Sequence, residues 1–230
     1  MGLIGLAIGP GIAICIFIYY KDKYNKEPGK NLIVSFILGI LCVIPALIFQ
    51  LTLMPFVESH MAGSMLYTAV ATYGIIAFSE ELAKFWVLRG YAYPKKVFDD
   101  PFDGIIYSIM VGMGFATIEN VGYVLEHGWI VGIYRMFLSV PGHATFAVLM
   151  GYHVGLAKFN PDKRKGQFFL ALFWPILFHG TYDFCLMHGK TLWHMMGALV
   201  SLIVALRLSF KAIKKKQELS RLYFEANNIT

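Results

Sequence analysis

Charge is what this sequence has least of. Only 15% of its 230 residues are Asp, Glu, Lys or Arg, against 57% apolar residues, where a water-soluble domain carries about 25% charged residues. Stretches of roughly 18 to 25 residues, nearly free of charge, recur along the whole chain and are long enough to cross a bilayer. None has the polar stripe that a helix on a soluble protein needs, which excludes a soluble helical fold. Cysteine is scarce too. Cys15, Cys42 and Cys185 fall inside apolar runs without CxxC spacing, so a disulfide framework and a thiolate metal site are excluded, and the three read as small packing residues. There is no internal repeat, low-complexity linker or second domain, and no HExxH.

The net charge of +6 does not point to nucleic acid. The basic residues cluster in Lys21–Lys30, Arg89–Asp103, Lys158–Lys165 and the end from Arg207, which together hold 17 of the 20 Lys and Arg residues. That is the pattern of loops and tails at an anionic membrane surface. The N-terminus lacks a basic n-region and a small-residue cleavage site, so it reads as a retained first helix. Leu6 stands where a myristoylation signal at Gly2 needs Ser or Thr.

What is present is an all-α polytopic bundle of about seven transmembrane helices. The expected spans are Leu3–Tyr20, Asn31–Leu53, a third ending between Arg89 and Tyr93, Gly104–Leu125, Ile130–Leu156, Gln167–Met187 and Leu192–Phe210. The third is expected to begin near Ala71, leaving His60–Val70 as an outer loop or partly inserted segment. An odd number of spans puts all four basic stretches on one side, so the positive-inside rule predicts an outer N-terminus and a cytoplasmic C-terminus. Residues 1–213 form one membrane domain and 214–230 a basic cytoplasmic tail.

Into these apolar runs the sequence places groups that cost roughly 2.5–3.5 kcal/mol each at a bilayer centre. Glu80, Glu81 and Lys84 lie in the third span and Glu119 in the fourth. Arg135, His143 and His153 lie in or near the fifth, and His179 and Asp183 in the sixth. Such groups face a bundle interior or a wet cavity and are candidates for function. Glu80 and Lys84, spaced i,i+4, share a helix face. Glu81 lies about 100° round the helix, so one Glu is expected to face the cavity and the other a neighbouring helix. His179 and Asp183 are also i,i+4, and the carboxylate can hold the imidazole's tautomer. Pro141 and Pro175 are expected to disturb the helices beside the two His.

Acids and imidazoles gathered in a membrane suit hydrolysis, by either of two routes. A Glu activates water while His side chains stabilise the oxyanion, or Glu and His hold zinc with one position open while another Glu is the base. Ser79 and Ser139 have no His at a suggestive local spacing, and Asp183 is the only Asp in the core, so serine and aspartyl-dyad chemistry fit less well. The rival classes are a proton- or ion-coupled transporter and a CAAX-type peptide-processing protease. Transporters characteristically show paired repeats, and none is found here.

Five segments carry a family resemblance. FSEELAKFWVLR (Phe78–Arg89), FDGIIYSIMVGMGFATIENVGYV (Phe102–Val124), PGHATFAVLMGY (Pro141–Tyr152) and FHGTYDF (Phe178–Phe184) resemble the blocks of the PrsW family, and KDKYNKEPGK resembles its D-x-Y-x-x-E-P segment. The resemblance runs from Ile8 to about Phe210. It implies a bacterial cell-membrane protease, distantly similar to CAAX prenyl endopeptidases, that makes the first cut in the extracytoplasmic part of a single-span anti-sigma factor. By motif, Glu80 and Glu81 are its EE, Lys84 its K, Phe115 and Glu119 its FxxxE, and His143 and His179 its histidines. Asn120 and Asp183 are supporting candidates. If zinc is present, His143, His179 and Glu119 are the expected ligands; the alternative is no metal and a glutamate-activated water.

Overall fold

The structure is a computed structural model that describes residues 2–189 and 191–226. Among the described residues it is helical throughout, without strands. In chain order the helices are α1 (Leu3–Lys21), α2 (Gly29–Leu41), α3 (Val43–Met61), α4 (Met65–Ala69), α5 (Phe78–Val87), α6 (Asp103–Phe137), α7 (Ser139–Phe159), α8 (Arg164–His188) and α9 (Leu192–Ala226). Among the described residues, five stretches are long and apolar enough to cross a membrane: Leu3–Lys21, Gly29–Met61, Asp103–Phe159, Pro161–His188 and Leu192–Ala226. The helical stretch Met65–Ala92, broken by Glu80, Glu81, Lys84 and Arg89, is not among them. Large apolar side chains such as Leu51, Leu125 and Phe169 stand on the outside. In water they would form adhesive patches, whereas lipid solvates them.

Helices α6 and α7 are the centre. In the span that holds them, 83% of the most apolar stretch is buried, against 22% to 39% in the other four. Their contact is unusually close. A Cβ on Gly104 would lie 2.3 Å from the Gly151 carbonyl oxygen, and one on Gly151 would lie 2.1 Å from that of Gly104. Two glycines facing each other let the backbones touch, as small residues do between membrane helices.

Several boundaries differ from the sequence expectation, each for a local reason. The second span breaks at Cys42 and continues to Met61, because Pro45 in the first turn of α3 has no N–H to continue the helical ladder. The third helix starts at Met65 rather than Ala71. Ser64 caps it by accepting from the Tyr67 N–H, and the chain is π-helical from Val70 to Ala77 before α5. A widened turn of this kind is often found at functional sites. The division between the fourth and fifth spans is not the expected Leu125–Ile130 gap. Gly128, at φ 78°, turns the chain within α6, and α7 begins only at Ser139. Only glycine adopts that backbone without strain. The stretch from Trp129 to Phe137 therefore folds back beside α6 and carries Arg135 to Asn120. Pro175 sits inside an unbroken α8, and Pro141 lies in the first turn of α7. Helix α9 runs on through the expected tail to Ala226; residues 227–230 lie outside the described residues.

At the basic end of the bundle, the loops after α1 and before α6 meet α9. Asp22, Glu27, Asp100, Asp103 and Lys216 are all buried there. Tyr107 donates to Glu27, Ser220 donates to Asp100, and Asp103 accepts the backbone N–H groups of Asp99 and Asp100 at 2.8 and 2.7 Å. Burial pushes the Asp22 carboxyl up to about 7 and raises Glu27 and Asp100 as well, because charge is costly away from water.

Candidate active site

The π-helical turn ahead of α5 delivers Glu80, Glu81 and Lys84 to the bundle interior together. Both Glu face the same cluster, which corrects the expectation that helical spacing would send one elsewhere. Lys84 on the following turn reaches both, with Nζ 2.8 Å from Glu81 Oε1 and 3.5 Å from Glu80 Oε2. Long side chains close an angular gap that the backbone leaves open. Glu81 is fully buried and Glu80 is 6% exposed.

Helices α7 and α8 add the imidazoles. His179 Nδ1 lies 2.9 Å from Glu81 Oε1, and its Nε2 faces Asp183 at 3.2 Å and Glu80 at 4.0 Å. The i,i+4 pairing of His179 with Asp183 is thus present. His143 Nδ1 lies 3.3 Å from Lys84 Nζ, and His143 Nε2 is 2.8 Å from Glu119 Oε2. The two imidazoles stand edge to face at 5.3 Å, and Phe146 stacks on His179 at 5.1 Å. Phe115 places its ring 4.1 Å below the Lys84 ammonium.

Among the described residues, one group of side chains has the spacing of a metal site. Glu80, Glu81, His143 and His179 each offer a donor atom, all within 4.8 Å of one another and all buried. Glu119 stands outside this group, on the far nitrogen of His143. The set fits a divalent metal such as zinc in donor type, two carboxylates and two imidazoles. Glu81 Oε2 is also buried without a partner, leaving a carboxylate oxygen available. Burying so many ionisable groups in a membrane is tolerable only because each faces an opposite charge or a donor.

Arg135 and the supporting candidate Asn120 are brought to Glu119, while Gln50 is a contributor that the sequence reading missed. Arg135 Nη2 lies 3.1 Å from Glu119 Oε1, and its Nε donates to Asn120 Oδ1 at 2.9 Å. Asn120 in turn donates to the Ala7 carbonyl of α1 at 2.8 Å. Gln50 of α3 donates to Glu80 Oε1 at 3.4 Å and to Ser79 at 3.2 Å. A lone Gln in an apolar run was the available signal. His153 is not brought to the cluster; it pairs with Gln167 at 2.8 Å. The side chains of Glu119 and Asp183 retain 21% exposure, above the buried four. The cluster is therefore most exposed beside Arg135, and Glu119 is about 13 Å along α6 from Gly128 at the end away from the basic loops.

A family model described as PrsW family intramembrane metalloprotease matches residues 27–209. The chain is 33% identical over 216 residues to Protease PrsW of Geobacillus kaustophilus, covering 94% of this chain and 91% of that protein. It is 37% identical over 185 residues to Protease PrsW of Bacillus subtilis, covering 80% and 82%. With Protease PrsW of Clostridioides difficile it shares 32% identity over 228 residues, covering 96% and 94%. No solved structure matches the chain.

Proposed function

The chain belongs to the PrsW family of intramembrane metalloproteases and is a peptidase, and from that premise we propose that it makes the first, extracytoplasmic cut in a single-span membrane protein of the anti-sigma-factor kind. Membership of a peptidase family sets aside the transporter reading. The observation that supports the site is the buried gathering of Glu80, Glu81, His143 and His179 from three helices, most exposed toward the end away from the basic loops. With those loops in the cytoplasm of a bacterial cell, about seven spans and an outer N-terminus follow. That exposed side then faces the extracytoplasmic half, where a site-1 cut falls.

In this reading Glu81, His143 and His179 would hold zinc, a His₂Glu donor set of the kind found in catalytic zinc sites. The chemistry a bound metal would supply there is Lewis-acid polarisation of the scissile carbonyl. Glu80 is the general base. Its contacts are the long ones, 3.4 Å to Gln50, 3.5 Å to Lys84 and 4.0 Å to His179. It also keeps exposure that Glu81 lacks, so its carboxylate is free to take a proton from water and pass it to the leaving amine. Glu119 holds His143 by Nε2, leaving Nδ1 for the cluster, and Asp183 does the corresponding work for His179. Arg135 and Asn120 keep Glu119 in place from the outer side. The apolar walls, Phe115 and Phe146 among them, exclude bulk water and strengthen these interactions.

The test is purified protein reconstituted in liposomes with a single-span substrate, alongside the zinc content of wild type and His179→Ala. The expected result is one cut on the outer side of the substrate's span and about one zinc per wild-type chain, lost in the variant. An intact substrate, or a cut only on the side of the basic loops, overturns the site-1 reading. Full activity with far less than one metal per chain overturns the zinc assignment and leaves glutamate-activated water.

A further inference from the structure

The ammonium of Lys84 is aimed into the middle of the candidate ligands. It lies 2.8 Å from Glu81 Oε1, 3.5 Å from Glu80 Oε2 and 3.3 Å from His143 Nδ1. These belong to three of the four residues whose donor atoms have metal-site spacing. The Phe115 ring closes the arrangement at 4.1 Å, as an aromatic face does for a desolvated cation. Lys84 is 3% exposed and sits on the same helix as both Glu, three and four residues on. The protein therefore carries a built cation site, and its own side chain supplies the cation.

We propose that Lys84 is an intrinsic competitor for the metal: its ammonium and a divalent cation are alternative occupants of one donor set. This competition rests on the zinc reading above and deepens it. An ammonium has donors only, so its contact with His143 Nδ1 uses the lone pair that a metal would need, while Nε2 is engaged with Glu119. Glu81 Oε1 already takes both Lys84 and His179. A metal at about 2.0–2.2 Å from these donors has to displace the ammonium from at least one of them. Glu119 lies beyond His143 and offers a displaced ammonium a third carboxylate. Lys84 thereby lowers metal affinity, and it also keeps Glu80 and Glu81 together, where two adjacent bare carboxylates would repel.

The experiment is a Co²⁺ titration of purified full-length protein, following ligand-field absorption and confirmed by calorimetry with Zn²⁺. It compares wild type, Lys84→Met, which fills the same volume without donors, and Lys84→Arg, which keeps the charge; thermal melting establishes that each is folded. Lys84→Met should bind more tightly than wild type by roughly 10- to 100-fold, the range over which partners of metal ligands shift affinity. Lys84→Arg should bind no more tightly than wild type. If Lys84→Met is too unstable to titrate, Lys84→Gln takes its place with the same expected direction. Equal affinity in wild type and Lys84→Met overturns the proposal, as does loss of binding in Lys84→Met, which would make the lysine a support for the ligands. Tight one-to-one binding by wild type that Lys84→Met leaves unchanged spares the zinc reading and refutes only the competition. Absence of metal from every variant, with wild-type cleavage intact in chelator, refutes both.

Discussion

The close backbone contact between α6 and α7 makes a sharp test of how the site is held. A Cβ on Gly151 would fall 2.1 Å from the Gly104 carbonyl oxygen, 2.7 Å from its carbon and 2.8 Å from Ile105 Cα. Ordinary contact begins near 3.4 Å, so α6 and α7 must part by about 1.3 Å. No flexible side chain is there to yield. Overpacking typically costs about 1–3 kcal/mol, and a clash against backbone belongs at the upper end. The disturbance also travels. His143 is eight residues from Gly151 on α7, about 12 Å away along a stiff rod, and it meets Glu119 of α6 at only 2.8 Å. A displacement of about 1 Å in a catalytic constellation costs on the order of 10² in rate. Gly151→Ala should therefore lower both the melting temperature in detergent and the rate of substrate cleavage, the latter by about 10²-fold. Gly122→Ala is the control: it lies on the same α6 with nothing within 4 Å of the added Cβ, and both readouts should stay near wild type. Activity and melting temperature of Gly151→Ala indistinguishable from Gly122→Ala would refute the claim that backbone contact at this crossing sets the geometry of the cluster.

Glu80→Gln should lower cleavage by about 10²–10⁴-fold, the typical worth of a positioned acid or base, and Glu81→Gln, which removes a proposed ligand carboxylate, should lower it at least as far, both with membrane abundance near wild type on immunoblots; near-full activity in both removes them from the chemistry. Arg135→Gln should weaken cleavage more than Arg135→Lys, because lysine keeps a charge beside Glu119 while losing the fork that also reaches Asn120; equal loss in the two variants would speak against this positioning role. At the basic end, the Asp22 carboxyl is raised from 3.8 to about 7 in the folded protein. The folded state keeps a proton that the unfolded chain releases, so this contribution to stability is complete at low pH and is lost as pH rises toward 7. Melting temperature should fall between pH 5 and pH 8 at constant ionic strength, and Asp22→Asn should flatten that dependence; an unchanged slope in the variant would place the titration elsewhere.

The sequence by itself determined the class of the molecule. A chain this poor in charge, with apolar runs of bilayer length, has one solvent in which its surface is stable, and its few buried ionisable groups announced themselves by their cost. Glu80, Glu81, Glu119, His143, His179 and Asp183 were legible because an apolar background makes each an exception, and spacing alone paired His179 with Asp183. What spacing could not decide was how groups on different helices meet. Nothing local tells Lys84 that it will sit among Glu80, Glu81 and His143, or that Glu119 will take the outer nitrogen of His143 rather than join the other donors. Those choices depend on the helix crossings, above all the Gly104–Gly151 contact, and on long side chains whose reach exceeds the angular steps of a helix. Arg135 shows the difference most clearly. In the sequence it is a lone cation within the expected fifth span with no partner assigned, and only the backbone reversal at Gly128 returns it to Glu119. A single positive φ redirects the chain after it, so the residue's place was settled by geometry that accumulates along the fold rather than by its neighbours in sequence.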